Sequence, residues 1–314
     1  MSLVLGLDSG GTKTILAFAD RSGQIVSLRR SGGLDPSVDP NWAQALQKIL
    51  TQDVPALQRV EAAVLGLPFH DEVAAYTAAQ KFAVQALIPG KSLVQNDVRV
   101  AFDGALAGKP GVLVLAGTGS MAWASRNRPD DPHIRVGGWG DAFGDEGSAF
   151  WIGHRALAAV SCDLDGRTPA PDLSDGILSA LGLQAGDLLG WCYGLQNRRT
   201  GFASLAVTVS ALADAGCAEA VAILHSAGDH LATHVTAAWQ QTNPQSPLLW
   251  SYAGGVFSSQ IVRRRVTEKL RRPPVRPRLP PVGGAVLRAA RRAGWAIDEA
   301  WLDRLAASFA AESD

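Results

Sequence analysis

Cysteine, net charge and long apolar runs are all scarce in this chain of 314 residues. Its 3 cysteines, Cys162, Cys192 and Cys217, lack the spacing of a zinc site, and their odd number argues against a fully paired disulfide framework. No segment approaches the roughly 20 apolar residues of a membrane-spanning helix. The N-terminus also lacks the basic leader and cleavage site of a secretory signal. We therefore expect a soluble, cytoplasmic protein with reduced thiols.

The chain also has no excess of positive or negative charge, because 29 Lys and Arg balance 29 Asp and Glu. Nothing global therefore draws the chain toward nucleic acid or an anionic membrane. A basic stretch holds arginines at 263–265, 271–272, 276 and 278, but it lacks the interleaved aromatic residues of a nucleic-acid surface. We expect a solvated face there, with a nucleotide-phosphate or dimer contact as the alternative, and neither a nucleic-acid nor a membrane partner.

Glycine, in contrast, is concentrated in turns between short apolar runs. Runs at 3–7 and 15–19 flank the turn at 8–14, and a third run follows at 24–28. This order predicts an antiparallel meander, whereas a P-loop or dinucleotide fold would join the strand to a helix. The strand–glycine turn–strand pattern recurs at 111–124, which indicates two lobes built on one plan.

Two domains are also expected from the length, since single hydrophobic cores stop growing at about 250–300 residues. The first lobe reads as strands and helices alternating in the order of a mixed sheet covered by helices. We predict an N-terminal lobe at 1–107, with the segment 285–314 packing back on it, and a C-terminal lobe at 108–284.

Three glycine turns, at 8–14, 117–120 and 252–259, are candidates for nucleotide binding. Glycine permits the positive φ angles and close approach that let backbone N–H groups point at phosphate oxygens. Each turn alone also fits a tight hairpin or an ordinary strand–helix turn, but two turns in matching positions favour function. We expect phosphate and nucleotide contacts from Gly10, Gly11, Thr12, Lys13, Thr14, Gly117, Thr118, Gly119, Ser120, Gly254, Gly255, Phe257 and Ser258.

Asp8 begins the first of these turns. Its carboxylate would repel a phosphate unless a cation lay between them. Mg²⁺ keeps most of its waters and takes one or two carboxylates together with phosphate oxygens. We therefore expect Asp8 to hold Mg²⁺ through water.

The set of motifs resembles the nucleotide site of the actin, hexokinase and heat-shock chaperone ATPase superfamily. It is most specifically similar to the BadF/BadG/BcrA/BcrD ATPase family, which includes N-acetylglucosamine and glucosamine kinases. The run GGWGDAFGDEGSAFWIG at 137–153 is similar to the hallmark segment of these kinases, and 281–287 resembles a late motif. The resemblance covers nearly the whole chain. It implies a two-lobed actin-like (ribonuclease H-like) α/β fold with duplicated mixed sheets flanked by helices, the cofactors ATP and Mg²⁺, and a homodimer.

The resemblance also implies a general base. In the family the catalytic Asp follows the strand that is expected here at 92–95, so Asp97 would accept the proton of a sugar hydroxyl, with O6 the expected atom. From the residues alone, Asn96 and Asp97 would favour a different interpretation, a cap on the following helix.

A sugar site is implied in the same way. The family's matching Asp contacts the sugar, so Asp145 inherits that role, and we expect further contacts from Asp35, Asn96, Gly138, Trp139 and Glu146. Asp145 also fits the N-cap of the helix that follows it. We expect Asp35 to replace an Asn that is common in the family. The loop at 66–72 departs from the usual glycine-ending turn, and we expect His70 at the surface. These departures leave N-acetylglucosamine, glucosamine, N-acetylmuramic acid and glucose open.

We therefore expect an ATP-dependent sugar kinase that phosphorylates an amino sugar. One alternative is an ATPase activator of a radical dehydratase, although such relatives hold an iron–sulfur cluster with cysteines whose motif is not matched here. The other alternative is a sugar-sensing regulator that has lost catalysis.

Overall fold

The structure is a computed structural model that describes residues 2–11, 13–126 and 134–312. Its strands are β1 (Leu3–Ser9), β2 (Lys13–Asp20), β3 (Ile25–Gly32), β4 (Val60–Leu67), β5 (Ser92–Asn96), β6 (Gly111–Ala116), β7 (Ser120–Ser125), β8 (Ile134–Gly137) and β9 (Trp250–Ala253). Its α-helices are α1 (Trp42–Leu50), α2 (Val54–Gln58), α3 (Ala74–Leu87), α4 (Asp97–Leu106), α5 (Ala149–Leu164), α6 (Pro171–Leu181), α7 (Leu188–Gly194), α8 (Arg198–Asp214), α9 (Ala218–Gln241), α10 (Gln260–Leu270), α11 (Pro281–Arg292) and α12 (Glu299–Ala311).

Two compact units divide the chain. The first comprises Met1–Lys109 and Arg276–Asp314, and the second comprises Pro110–Val275. Each unit contains one mixed sheet, and the described residues form two hydrophobic cores in the first unit and one in the second.

The first unit is built on a five-stranded sheet in the order β3-β2-β1-β4-β5. β1 pairs antiparallel with β2 and parallel with β4, and β5 continues the parallel side. β1 is almost fully buried because both faces of the sheet are covered. Leu3, Leu5 and Leu7 face one core, and the intervening Val4 faces the other, as the two-residue period of a strand requires.

Helix α11 returns the C-terminal segment to this unit by packing on β1 and α4. A Cβ at Gly6 would lie 2.6 Å from Val286 Cγ2, and one at Gly284 would lie 2.0 Å from Val100 O, so both glycines are needed for the approach. The contact begins before the helix, since Leu279 N donates to the carbonyl of residue 104 at 3.1 Å. The returning segment therefore starts at Arg276, whereas the sequence-based boundary lay at 285.

The second unit is built on a four-stranded sheet in the order β8-β7-β6-β9. β6 pairs antiparallel with β7 and parallel with β9, so the unit repeats the arrangement of β1 with β2 and β4. Beyond β9, the described chain makes one backbone hydrogen bond to it, from Val275 N to Trp250 O at 2.9 Å. Pro273 and Pro274 have no N–H to donate, which disfavours a full fifth strand there.

No single helix in the described part of the chain is long and apolar enough to cross a membrane. Helices α8 and α9 reach the length and hydropathy of a membrane span only when they are taken together, and the two are bent by 119° relative to each other.

Candidate functional site

Three parallel strands of the first unit end at one edge of its sheet, where ligands of α/β proteins gather. Asp8 in β1 is level with Gly66 in β4, and Leu67 is level with Asn96 at the end of β5. A Cβ at Gly66 would lie 3.3 Å from Asp97 Cα, so the missing side chain lets the first turn of α4 lie against β4. The sheet edge therefore collects the carboxylates of Asp8 and Asp97.

Asp97 is half-buried at the start of α4. Burial raises its pKa to about 6, a hydrogen bond from Val98 N opposes the rise, and the charges of Glu72 and Asp35 add to it. That hydrogen bond joins Val98 N to Asp97 Oδ1 at 2.8 Å. A carboxylate with such a pKa is ionised at neutral pH and still basic enough to take a proton from a reacting hydroxyl.

Asp8 shares this electrostatic environment. Burial raises its pKa to about 7, the charge of Asp97 adds to the rise, and Lys13 opposes it. A cation beside Asp8 would favour the ionised form. Among the described residues, no group of three or more His, Cys, Asp or Glu forms a metal site. The donor set therefore fits a Mg²⁺ ion that keeps its waters, and does not fit a metal held by a protein cage.

The first glycine turn has an open side and a closed side. A Cβ atom at Gly10 would meet no other atom within 4 Å, so the turn leaves room for a ligand on this side. On its other side, a Cβ at Gly33 would lie 2.5 Å from the backbone of Gly11. Lys13 is exposed beside the turn, and Thr12 lies outside the described residues.

Thr14 has a different role from the one expected. It is fully buried, and its Oγ1 donates to the carbonyl of Gly32 at 2.7 Å. Ser9 Oγ lies 2.8 Å from Thr14 Oγ1. Since the Thr14 proton is donated to Gly32, Ser9 is the donor of this second hydrogen bond. Because the only hydroxyl proton of Thr14 is used within the protein, this side chain fastens the turn to β3 and has no proton to donate to a phosphate.

Asn96 is likewise occupied by the protein. Its Oδ1 accepts from Val98 N at 2.9 Å, which makes it the N-cap of α4. Its Nδ2 donates to His70 O at 2.9 Å and to Glu72 Oε1 at 3.0 Å, so both amide hydrogens are used. Asn96 thus positions the start of α4 and Glu72, and no amide hydrogen is left for a sugar.

The loop after β4 corrects a prediction about His70. This residue is only 1 % exposed, and its Nδ1 lies 2.8 Å from Gln80 Oε1. Phe69 and Asp71 on either side have φ angles of 59° and 61°, values that glycine adopts most easily. Two non-glycine residues therefore adopt left-handed backbone conformations on either side of a buried histidine.

Asp35 lies in the loop after β3 and is partly buried. Its Oδ1 accepts from both the backbone N–H and the hydroxyl of Ser37, at 2.8 and 2.5 Å. A Cβ at Gly11 would lie 3.6 Å from its Oδ2. One carboxylate oxygen of Asp35 therefore lies beside the first turn.

The second glycine turn, at 117–120, is tied to the start of α5. Ala149 N donates to the carbonyl of Gly117 at 2.8 Å, and the hydroxyl of Ser120 donates to the carbonyl of Glu146 at 2.7 Å. Thr118 is exposed on the turn, whereas Ser120 is buried. The Ser120 hydroxyl proton is consequently used within the protein, which leaves the backbone and Thr118 as possible donors.

Asp145 does not cap α5, so that interpretation is wrong. The helix begins at Ala149, and the N-cap is Ser148, whose Oγ accepts from Trp151 N at 3.1 Å. Asp145 instead has a φ of 56° and is 2 % exposed. Its Oδ2 accepts from Arg199 Nη2 at 2.6 Å.

The hallmark loop of the second unit also exposes aromatic side chains. Trp139 is 71 % exposed and Phe143 is 77 % exposed, and Gly138 between β8 and Trp139 has a φ of 72°. Glu146 is half-buried, with its Oε2 3.6 Å from His234 Nε2. Trp139 and Glu146 are thus accessible in part, as a ligand contact requires.

A pocket of about 910 Å³ lies within the second unit. The second and third glycine turns both line it, together with one face of α8 and the start of α10, including Gly117, Thr118, Thr200, Gly255, Ser258 and Arg264. Its size and its mostly small lining residues suit a nucleoside.

Two predicted residues of the third turn serve its structure. Gly254 has a φ of 99°, and a Cβ there would lie 2.3 Å from the carbonyl oxygen of Ala116. Phe257 is 2 % exposed and packs on Tyr252, with ring centroids 5.0 Å apart. Phe257 therefore belongs to the core, and Gly254 lets the turn lie against the end of β6.

Comparison with known proteins assigns the chain to a family. The model of the BadF/BadG/BcrA/BcrD ATPase family matches residues 5–289. The chain belongs to this family.

Two curated relatives of this BadF/BadG/BcrA/BcrD family member are named as sugar kinases. The N-acetylmuramic acid/N-acetylglucosamine kinase of Clostridium acetobutylicum is 26 % identical over 267 residues, which cover 82 % of this chain and 87 % of that protein. The N-acetyl-D-glucosamine kinase of Dictyostelium discoideum is 29 % identical over 209 residues, which cover 61 % of this chain and 64 % of that protein.

A solved structure extends the likeness to the fold. A Chromobacterium violaceum protein assigned as an N-acetylglucosamine kinase has a TM-score of 0.70 and 28 % identity, and the match covers 92 % of this chain and 99 % of that one. The predicted actin-like α/β fold with two mixed sheets flanked by helices is confirmed.

Sequence reasoning missed two residues of this family member's site. Glu72, which the Asn96 amide holds near Asp97, lies in a loop whose sequence departs from the common pattern. Arg199 pairs with Asp145 from 54 positions away and belongs to no recognisable motif. An acidic residue beside a predicted catalytic loop is a signal that could have identified Glu72, but only the tertiary structure reveals Arg199.

Proposed function

We propose that this chain transfers the γ-phosphate of ATP to a hydroxyl of an amino sugar such as N-acetylglucosamine or glucosamine, with O6 as the acceptor atom. The observation that carries the proposal is the half-buried Asp97, with its raised pKa, at the sheet edge beside Asp8 and the first glycine turn. The names of the relatives from Clostridium acetobutylicum and Dictyostelium discoideum support an amino sugar as the acceptor.

Asp97 acts as general base in the proposed reaction. As the sugar oxygen attacks the γ-phosphorus of ATP, its O–H bond breaks and the proton passes to the Asp97 carboxylate. The new O–P bond replaces the bond to the bridging oxygen, and ADP leaves with that electron pair. In such transfers a protein supplies positioning and charge stabilisation more than covalent chemistry.

The remaining residues position the reactants. Backbone N–H groups of the two glycine turns donate to phosphate oxygens, and Lys13 and Thr118 add side-chain donors. The pocket of the second unit takes the adenosine. Mg²⁺, when bound, neutralises charge on the phosphates, and Asp8 would hold it through water.

The sugar-facing residues of the proposal are carboxylates and exposed groups. Asp35 and Glu146 accept hydrogen bonds from sugar hydroxyls, and Trp139 offers a ring face. The cytoplasmic location and the homodimer expected from the sequence stay predictions.

ADP release against a panel of sugars tests this proposal. The wild type should produce ADP fastest with an N-acetylated or free amino sugar, and only with Mg²⁺. Asp97→Asn should lower kcat by about 10²–10⁴-fold, because the base is lost while the shape is kept. Asp172→Asn, an exposed carboxylate on α6, serves as the control. A rate for Asp97→Asn within about threefold of the wild type would show that the base is another group.

The acceptor atom has its own test. A 6-deoxy analogue of the best sugar keeps every other hydroxyl, so it should bind as a competitive inhibitor and yield no phosphorylated product. Phosphorylation of that analogue would show that O6 is not the acceptor.

The dehydratase-activator alternative predicts bound iron and ATP hydrolysis without sugar. Metal analysis of the purified protein distinguishes the two functions, since a kinase needs no iron and its ATP consumption depends on the sugar.

A further inference from the structure

We infer that His70 is a positioning residue for Asp97, because its ring fixes the turn after β4 and its carbonyl oxygen holds the side chain that begins α4. The inference rests on the proposed function, since it takes Asp97 as the general base. The sequence predicted only a surface position for His70, whereas the structure buries it in the first unit.

The His70 ring is held in one tautomer. Gln80 Nε2 donates to the carbonyl oxygen of Pro68 at 2.8 Å, which turns Gln80 Oε1 toward the ring, 2.8 Å from His70 Nδ1. Burial lowers the pKa of His70, so the ring is neutral near pH 7 and only one of its nitrogens carries a proton. Because Gln80 Oε1 is an acceptor, that proton lies on Nδ1. The ring and the amide therefore form a chain of hydrogen bonds that returns to the backbone of the same loop.

The turn that carries His70 needs this support. Phe69 and Asp71 have φ angles of 59° and 61°, and such left-handed conformations cost free energy in residues other than glycine. Asp71 N donates to Thr77 Oγ1 at 2.8 Å, which holds the far end of the turn. The hydrogen bond from His70 to Gln80 holds the residue between the two strained positions.

The backbone of His70 connects the turn to α4. Its carbonyl oxygen accepts from Asn96 Nδ2 at 2.9 Å, and Asn96 Oδ1 accepts from Val98 N at 2.9 Å. The Asn96 side chain therefore bridges the turn and the N-terminus of α4, whose first residue is Asp97. A Cβ at Gly66 would lie 3.3 Å from Asp97 Cα, so the strand that leads into the turn also lies against Asp97. A displacement of the turn would therefore displace the base.

The turn also positions Glu72, two residues after His70. Asn96 Nδ2 donates a second hydrogen bond to Glu72 Oε1 at 3.0 Å, and the charge of Glu72 raises the pKa of Asp97. The ring of His70 thus fixes a backbone segment that sets both the place of the base and the distance of a charge that acts on it.

Steady-state kinetics of the full-length protein, with the sugar and ATP varied separately, test the inference. His70→Leu keeps a buried apolar side chain but removes the donor to Gln80, so kcat should fall by about 10–100-fold, the effect of a misplacement of up to about 1 Å. KM for ATP should stay within about twofold, because the proposed phosphate contacts come from the glycine turns. His70→Asn puts an amide N–H close to the place of Nδ1–H, so its kcat should return to within about threefold of the wild type.

Asp71→Asn is the matched control. It keeps the side-chain shape and a residue type that tolerates a left-handed φ, but it removes the carboxylate that lies 3.6 Å from His70 Nε2. Because the proposed support comes from Nδ1, this variant should keep the wild-type kcat. Circular dichroism identifies a variant that fails to fold. If His70→Leu does so, Gln80→Leu, which removes the acceptor of the Nδ1 proton, and His70→Asn decide the question.

The carboxyl carbon of Asp97 gives a readout that does not need turnover. Its NMR signal, identified by its absence in Asp97→Asn, should move in His70→Leu and return toward the wild-type position in His70→Asn. A wild type that phosphorylates no sugar would refute the proposed function, while this signal would still test the connection from His70 to Asp97.

Two results would overturn the inference. One is a folded His70→Leu variant whose kcat stays within about twofold of the wild type and whose Asp97 signal is unchanged. The other is a His70→Asn variant that loses as much kcat as His70→Leu, since the loss would then follow the ring itself and not its N–H donor.

Discussion

Glu72 influences the basicity of Asp97, because the charge of Glu72 raises the Asp97 pKa. The Asn96 amide holds the Glu72 carboxylate in place. A general base must be ionised, so kcat/KM should fall as the pH drops below about 6. Glu72→Gln removes the charge and keeps the length, which should move this acid limb to lower pH. Rate profiles between about pH 4.5 and 8 measure the shift.

Glu299→Gln is the control for this experiment, since it removes one exposed carboxylate from α12. An acid limb that stays in place in Glu72→Gln would mean that Glu72 does not influence the base.

Asp97 should also reduce the stability of the protein at neutral pH. Its folded-state pKa is raised from 3.8 to about 6, so the folded state binds the proton more tightly than the unfolded state between these values. The free energy of unfolding therefore falls as the pH rises through this window and stays lower above it. Asp97→Asn removes that penalty, so its Tm should exceed the wild-type Tm at pH 8, and the difference should shrink toward pH 4.

Thermal melts at both pH values check the sign. A wild-type Tm above that of Asp97→Asn at pH 8 would contradict the burial cost assigned to this carboxylate.

At the residue scale, the sequence indicated which candidate residues lie together but not which protein groups they bond to. Asp8 and Asp97 end apolar strands, a local pattern that places them at one sheet edge. Thr14 and Asp145 were expected to contact ligands. In the structure their side chains form hydrogen bonds with residues that are distant in the sequence. Hydrogen-bond partners from distant segments cannot be inferred from local spacing.

At the scale of elements, the first glycine turn depends on a glycine from another loop. Gly33 lies against Gly11, where a Cβ would come within 2.5 Å of backbone atoms. Gly33→Ala should therefore displace the turn and lower kcat/KM for ATP by about 10²-fold, the effect expected of a misplacement of about 1 Å. Gly32→Ala is the matched control, since a Cβ there meets nothing within 4 Å.

Steady-state kinetics with varied ATP measure both variants. Equal activity in Gly33→Ala and Gly32→Ala would show that the packing beneath the turn does not determine phosphate binding.

Regular elements were predictable where the pattern was local. The predicted runs at 3–7, 15–19 and 24–28 overlap β1, β2 and β3, and the strand expected at 92–95 is β5. The described second sheet has four strands where the first has five, and two adjacent prolines at 273–274 give a physical reason.

At the scale of the whole molecule, a formal net charge of zero conceals a local cluster of carboxylates around Asp8 and Asp97 in the first unit. The charges of Glu72 and Asp35 raise the pKa of Asp97, and the charge of Asp97 raises the pKa of Asp8. An acidic sugar would be repelled there, since like charges in a partly buried site repel strongly. N-acetylmuramic acid should thus have a kcat/KM at least about tenfold below that of N-acetylglucosamine at low salt.

Glu72→Gln should reduce the difference in kcat/KM between the two sugars, because it removes one of the repelling charges. Added salt should reduce the same difference in the wild type. Equal use of both sugars by the wild type would contradict the electrostatic argument, even though the relative from Clostridium acetobutylicum is named for both.

The duplicated plan was visible in the sequence because each unit repeats a strand–turn–strand signal, and the hallmark run at 137–153 identified the family. The point at which the chain returns to the first unit was not visible, because it depends on glycines at 6 and 284 that let α11 pack on β1 and α4. Gly6 and Val286 are 280 positions apart, and Gly284 and Val100 are 184 positions apart, so these contacts leave no local signal.

The most direct test follows the labelled γ-phosphate of ATP in a reaction with N-acetylglucosamine or glucosamine. The account predicts that the label appears in a sugar monophosphate with wild-type protein, and that its rate of appearance falls by about 10²–10⁴-fold with Asp97→Asn. Label found only in inorganic phosphate, at a rate that no sugar changes, would contradict the account.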